Sequence, residues 1–142
     1  MPKVLILNGP NLNVLGKREP HIYGDLSFEL YFERLQSRFK ALELEYFQSN
    51  HEGELIDRLQ TQSAEALVVN FGALTHTSLA LADALAYQTV PIVEVHISNL
   101  YAREDFRQKS LTAPHCKGVI TGLGLEGYHL AVSYLSDWLL KT

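Results

Sequence analysis

Two periodicities alternate along this chain. Val4–Leu7 is a continuous apolar run, the pattern of a parallel strand covered on both faces. Phe28, Phe32, Leu35, Phe39 and Leu42 then recur at spacings of four and three, which predicts a helix with one apolar face. Leu44–Phe47 reads as a second strand. Ser49 with Glu52 makes a capping-box pattern ahead of Leu55, Ile56 and Leu59. There follow a strand over Ala66–Val69, a helix over Ser78–Ala86, a strand over Ile92–Val95, a short helical piece around Glu104–Lys109 and a strand over Gly118–Thr121. The last helix carries Tyr128, Val132, Leu135 and Leu139 on one face.

Strands separated by helices imply right-handed crossovers and a parallel sheet with helices on both faces. Five strands at this length fit a flavodoxin-like doubly wound α/β fold, order 2-1-3-4-5, in one domain spanning 1–142. Such sheets place their site beyond the carboxyl ends of the strands, where the order reverses. Residues after strands one, three and four are therefore expected to be neighbours.

Composition narrows the classes. With 142 residues, 46% of them hydrophobic, the chain can bury a core of one domain. A net charge of −4, a pI near 5.8 and no run of Lys or Arg argue against nucleic-acid binding. No apolar stretch approaches the roughly 20 residues of a membrane helix, so no membrane partner is expected. The N-terminus is too short for a secretory signal before the first strand begins. The lone Cys116 excludes an internal disulfide and a thiolate metal cage; its alternatives are a nucleophile or an incidental small residue. The chain is expected to be cytoplasmic.

The residues at the strand ends carry the chemistry. Glu94 and His96 lie two apart at the end of the fourth strand and project to one face. A carboxylate fixes a histidine's tautomer and favours its protonated form, which makes a general acid working near neutral pH. The alternative is a His that caps a strand. After strand one comes a long connection holding Asn11, Arg18 and Tyr23, with a candidate lid at about 12–24. It contains neither G-x-x-x-x-G-K-[ST] nor G-x-G-x-x-G, and Pro10 removes a backbone donor that a phosphate cradle would use. After strand three, Asn70 to Ser78 supply an amide, the His76 imidazole and hydroxyls at a helix N-terminus. Arg103 and Arg107 would share a helix face.

The assembled set of Asn11, Arg18, Tyr23, Asn70, His76, Glu94, His96 and Arg107 suits a small anionic, hydroxylated substrate. Each has a bland reading: Asn11 a turn residue, His76 a cap partner, the two arginines a solvated face, Tyr23 a surface aromatic. Their shared place at one sheet edge favours the functional reading. No G-x-S-x-G frames a serine, no H-E-x-x-H offers a metal site, and no lysine is set for a Schiff base. Metal-free acid–base chemistry remains. A flavodoxin-like binding or signalling module, or a metal-assisted hydrolase using His76, Glu94 and His96, are the competing readings.

The chain resembles type II 3-dehydroquinate dehydratase almost end to end. The carriers are N-G-P-N-L-N with R-E-P-H-I-Y-G, H-E-G-E-L-I-D at 51–57, L-T-H-T-S with A-L-A-D-A, E-V-H-I-S-N with R-E-D-F-R, and G-V-I-T-G-L-G with G-Y. The resemblance implies conversion of 3-dehydroquinate to 3-dehydroshikimate by anti elimination through an enolate, in the shikimate pathway of aromatic amino acid and chorismate biosynthesis or in quinate catabolism. It implies no metal or organic cofactor and a homo-dodecamer, a tetramer of trimers. Tyr23 would remove the proton alpha to the ketone, with Arg18 holding it as tyrosinate. Asn11 would position a water on the enolate oxygen, and His96, oriented by Glu94, would protonate the departing hydroxyl. Backbone donors at Ile97 and Ser98 would hold the carboxylate. Asn70, His76 and Arg107 would bind hydroxyls, and Asp83 would reach a neighbouring subunit's site. A free phenol titrates near 10, so a base working ~2–3 pH units lower requires roughly 3–4 kcal/mol of tyrosinate stabilisation, which one close guanidinium could supply. Phe71 stands where members often carry Pro or Ala, Leu74 where they often carry an aromatic, and Gln108–Cys116 is atypical; these departures point to the pocket rim.

Overall fold

In the computed structural model, residues 1–17 and 26–141 are described. The strands are β1 (Lys3–Asn8), β2 (Glu43–Gln48), β3 (Ala66–Asn70), β4 (Ile92–His96) and β5 (Gly118–Thr121); the helices are α1 (Phe28–Arg38), α2 (Glu52–Thr61), α3 (Leu79–Ala86) and α4 (Glu126–Leu140). All strand pairs are parallel, and the sheet order is β2-β1-β3-β4-β5. This is the flavodoxin-like doubly wound sheet that the alternation of periods predicts.

Strand alternation divides the core in two. Val4, Ile6, Val68, Val93 and Val95 pack with Phe28, Tyr31 and Leu35 of α1 and Tyr128, Val132 and Leu135 of α4. Leu5, Leu7, Leu67, Val69 and Ile92 pack on the other face with Leu55, Leu59, Leu81 and Leu85 of α2 and α3. Each fully buried Leu, Ile or Phe contributes about 1.5–3 kcal/mol relative to exposure, so both faces are anchored well beyond what any single surface contact supplies.

Four local expectations change. The first helix stops at Arg38, and Phe39 closes it through its N–H to the Leu35 carbonyl. Leu42 is buried from the following turn, not from the helix, because the chain must reverse there to lay Glu43 beside Lys3. Helix α2 is not closed by a Ser49–Glu52 box: its N-cap is His51, whose side chain caps nothing. The Ser49 hydroxyl accepts from the His51 N–H at 2.9 Å and donates to the Glu54 carboxylate, while Glu52 accepts from Ser78 Oγ at 2.5 Å. The piece around Glu104–Lys109 is a single 3-10 turn, Asp105–Arg107, preceded by another at Leu100–Ala102. Ser78 lies outside α3 as its N-cap and accepts from the Leu81 N–H at 2.9 Å.

Strands β1, β3 and β4 each run one residue further than the apolar run suggests, ending on Asn8, Asn70 and His96. Those polar residues begin the site.

Candidate active site

The connections after β1 and β3 interlock. Gly9 donates to the Asn70 carbonyl at 2.7 Å, and a Cβ on Gly9 would lie 2.6 Å from the Phe71 carbonyl oxygen. Only glycine permits that approach. Gly72 reciprocates with φ +59° close under the Pro10 carbonyl. Asn11 adopts the left-handed conformation, φ 72°, one that asparagine tolerates better than most residues. Its N–H is held by Asn50 Oδ1 at 3.0 Å, and Gln48 braces both Gly9 and Asn50 at 3.1 Å. The Asn11 backbone is thus pinned by the last residue of β2 and the connection that follows it.

Asn8 and Asn70 are register partners, and both point to the α4 face. There the buried Tyr128 hydroxyl donates to Asn8 Oδ1 and accepts from Asn70 Nδ2, both at 2.8 Å. Asn70 Oδ1 accepts from the Gly72 N–H at 3.1 Å. Among the described residues the second N–H of the Asn70 amide has no acceptor, which leaves it for a ligand. Burial pushes the Tyr128 phenol far up, so it stays a neutral bridge. Its apolar periodicity gave no sign of this polar role.

On the opposite face of the sheet, His96 Nε2 lies 2.7 Å from Glu94 Oε2. Glu94 is 1% exposed. Burial alone would raise its carboxyl, but hydrogen bonds from His96, Thr112 and Ser110 outweigh that and hold it below the ordinary value of 4.5. Because Nε2 is bound to a carboxylate, Nδ1 is the ring nitrogen left to exchange a proton with a ligand. The His76 ring stacks beside it, centroids 6.5 Å apart. His76 Nδ1 donates to the Lys109 carbonyl at 2.8 Å, which leaves Nε2 as an acceptor.

Asn70, His76 and His96 line one open cleft. Its wall includes Asn11, Asn70, His76, His96, Ile97, Ser98, Arg103 and Arg107. The residues after β1, β3 and β4 are thus neighbours, as sheet order requires. Arg107 reaches the wall without a shared helix face, since two 3-10 turns replace the helix; its Nε donates to Glu104 Oε2 at 3.0 Å. Arg103 was not singled out from Arg107 by sequence, yet it lines the cleft and donates to Ser98 Oγ at 2.9 Å.

Other expected members stand apart. Asp83 is exposed on α3 and is not among the lining residues. Two of the hydroxyls after β3 are committed elsewhere, Ser78 to its helix cap and Thr75, fully buried, to Ser110 and Thr112. Phe71 is 1% exposed in the α2–α3 core and Leu74 packs against it, so neither departure touches the described wall of the cleft. Arg18, Tyr23 and residues 18–24 of the expected lid lie outside the described residues. Burial pushes the Cys116 thiol up to about 12, which leaves it a poor nucleophile. Among the described residues no three His, Cys, Asp or Glu side chains form a metal-holding group, and the Glu94 oxygens already accept from three donors.

The sequence model of the family described as Dehydroquinase class II matches residues 2–136. The 3-dehydroquinate dehydratase of Thermotoga petrophila is 53% identical over 139 residues, covering 96% of both chains. That of Bacillus licheniformis is 52% identical over 141 residues, covering 96% of this chain and 97% of its own. The crystal structure of type II dehydroquinase from Butyrivibrio crossotus superposes with a TM-score of 0.91 at 45% identity, covering 95% of this chain and 97% of that one.

Proposed function

The chain belongs to the class II dehydroquinase family, and from that premise we propose how its cleft works. The protein is a 3-dehydroquinate dehydratase, a hydro-lyase of the shikimate pathway. A non-catalytic binding or signalling module is not favoured. The observation that carries the mechanism is the buried Glu94–His96 pair, 2.7 Å apart, whose His96 lines the cleft.

Tyr23, held as tyrosinate by Arg18, takes the proton alpha to the ketone, and the electron pair moves onto the carbonyl oxygen as an enolate. A water aligned by Asn11 stabilises that oxygen; a well-placed donor of this kind is worth about 3 kcal/mol. The enolate then collapses, the carbon–oxygen bond to the hydroxyl breaks, and His96 supplies the proton that lets it leave as water. Base and acid on opposite sides of the ring give anti elimination without metal or Schiff base. The backbone of Ile97 and Ser98 takes the carboxylate. Arg107, His76 through Nε2 and Asn70 through its remaining N–H take the hydroxyls.

The single domain 1–142 carries its lid at about 12–24. Its closure would carry base and activating arginine together onto the substrate. We further propose a homo-dodecamer built as a tetramer of trimers, in which Asp83 serves a neighbouring subunit's site; its exposure on α3 supports an intersubunit role. The same reaction serves aromatic amino acid and chorismate biosynthesis or quinate catabolism. We place it in the cytoplasm, where the lone Cys116 needs no partner.

The direct test is purified protein with 3-dehydroquinate, followed by the absorbance of the conjugated enone, with and without chelator and borohydride. Enone formation insensitive to both is expected. Loss of activity with chelator would replace the acid–base mechanism with a metal-assisted one, and loss with borohydride would demand a Schiff base.

A further inference from the structure

The segment 109–112 is strung between the turn after β3 and the end of β4. Leu111 donates its N–H to the Thr75 carbonyl at 2.7 Å, and the Lys109 carbonyl receives His76 Nδ1. This places three hydroxyls against one buried carboxylate. Ser110 Oγ donates to Glu94 Oε2 at 2.7 Å, the oxygen that His96 also engages, and Thr112 Oγ1 donates to Glu94 Oε1. Behind them Thr75 Oγ1 lies 2.8 Å from Ser110 Oγ and 2.6 Å from Thr112 Oγ1. Ser110 and Thr112 are themselves 3.1 Å apart, and Ser110 accepts from the Ala113 N–H at 3.0 Å.

A hydroxyl has one proton to give. Ser110 and Thr112 give theirs to Glu94, so the Thr75 proton turns to one of them and the whole network is polarised toward the carboxylate. A protonated Glu94 would set a donor against a donor in a site where Thr75 and Thr112 are fully buried. Resting on the proposed acid role of His96, we propose that Ser110 and Thr112, backed by Thr75, are positioning residues that lock Glu94 as an ion and so keep the proton of the pair on His96. Without them the shared proton can pass to Glu94, and His96 ceases to be the acid.

The lowered carboxyl of Glu94 agrees with this arrangement. Among the described residues, the other titratable or charged groups around the pair are His76 stacked on His96, Cys116 beside Glu94, and Arg103 and Arg107 on the cleft wall.

The experiment compares Thr112→Val, Ser110→Ala and Thr112→Ser with the unmodified protein. Carbon NMR follows the Glu94 carboxyl, and kcat and KM for 3-dehydroquinate are taken against pH. Thr112→Val and Ser110→Ala should each raise the pH at which Glu94 protonates by about one pH unit. The acid limb of kcat should move up with it. At its plateau kcat should fall about tenfold, as expected when one hydrogen bond to a charged group is lost, with KM little changed. Thr112→Ser, which restores the donor, should restore both. Unshifted Glu94 titration in the folded variants overturns the inference, as does a shifted titration with unchanged kcat. Ser110 is half-buried, so Ser110→Ala carries the test if Thr112→Val fails to fold. The NMR titration needs no turnover: an unmodified protein inactive on 3-dehydroquinate would sink the proposed reaction, while the Glu94 titration would still decide the hydroxyl lock.

Discussion

The fate of one proton separates the side chains that do chemistry from those that support it. His96 binds Glu94 through Nε2 and faces the cleft with its remaining nitrogen, so His96→Ala should fold normally yet lose about 10²–10⁴-fold in turnover, the usual worth of a positioned acid. Circular dichroism and the enone assay check both halves; turnover near that of the unmodified protein would remove His96 as the acid. Tyr23→Phe carries the same expectation for the base, with substrate binding retained by calorimetry. At Cys116, which is half-buried, the thiol is pushed up to about 12, so at pH 8 the folded protein should react with an alkylating reagent much more slowly than a free thiol of ordinary pKa does. Alkylation as fast as that of a free thiol would contradict the raised value.

Between elements, the site depends on the contact of the β1 and β3 ends. Tyr128 reaches from α4 to join Asn8 and Asn70 across that contact. Tyr128→Phe would leave a buried acceptor on Asn8 and a buried donor on Asn70 unpaired, at a cost of about 1–3 kcal/mol for each such group. A fall in urea midpoint with an unchanged m-value is the expected result. Gly9→Ala acts on the same contact sterically. Its Cβ would meet the Phe71 backbone at 2.6 Å, and overpacking of that kind costs about 1–3 kcal/mol. Because the strain lies two residues from Asn11, kcat should fall along with stability.

For the whole molecule, Glu94 links stability to pH. Its folded carboxyl sits below the unfolded value of 4.5, so the stabilisation it provides is complete above that value. It is lost as pH falls through the lower, folded value. Acid unfolding of Glu94→Gln should therefore show a shallower dependence on pH below 4.5 than that of the unmodified protein. Assembly belongs to this scale as well. Leu130, Tyr134 and Trp138 follow one another along α4 and remain exposed, as do Leu79 and Tyr87 at the two ends of α3. Light scattering is expected to give a particle of twelve 16.0 kDa subunits, and a monomer would remove the shared role proposed for Asp83.

Much of this protein is determined by its sequence alone, wherever the determinant is local. Two-sided apolar runs mark parallel strands, and their alternation with helices fits the doubly wound order that the sheet adopts, which in turn names the edge where Asn11, Asn70, His76 and His96 collect. Glu94 and His96 meet because strand geometry repeats every two residues. Tertiary structure decided what depends on partners distant in the chain. Leu42 leaves its helix so that β2 can pair, and Phe71 and Leu74 turn from the expected rim into the core. A serine and a threonine from an atypical stretch surround Glu94, and a tyrosine with apolar periodicity becomes a polar bridge. A hydroxyl's partner is chosen by where the fold brings an acceptor, and no spacing along the chain records that distance.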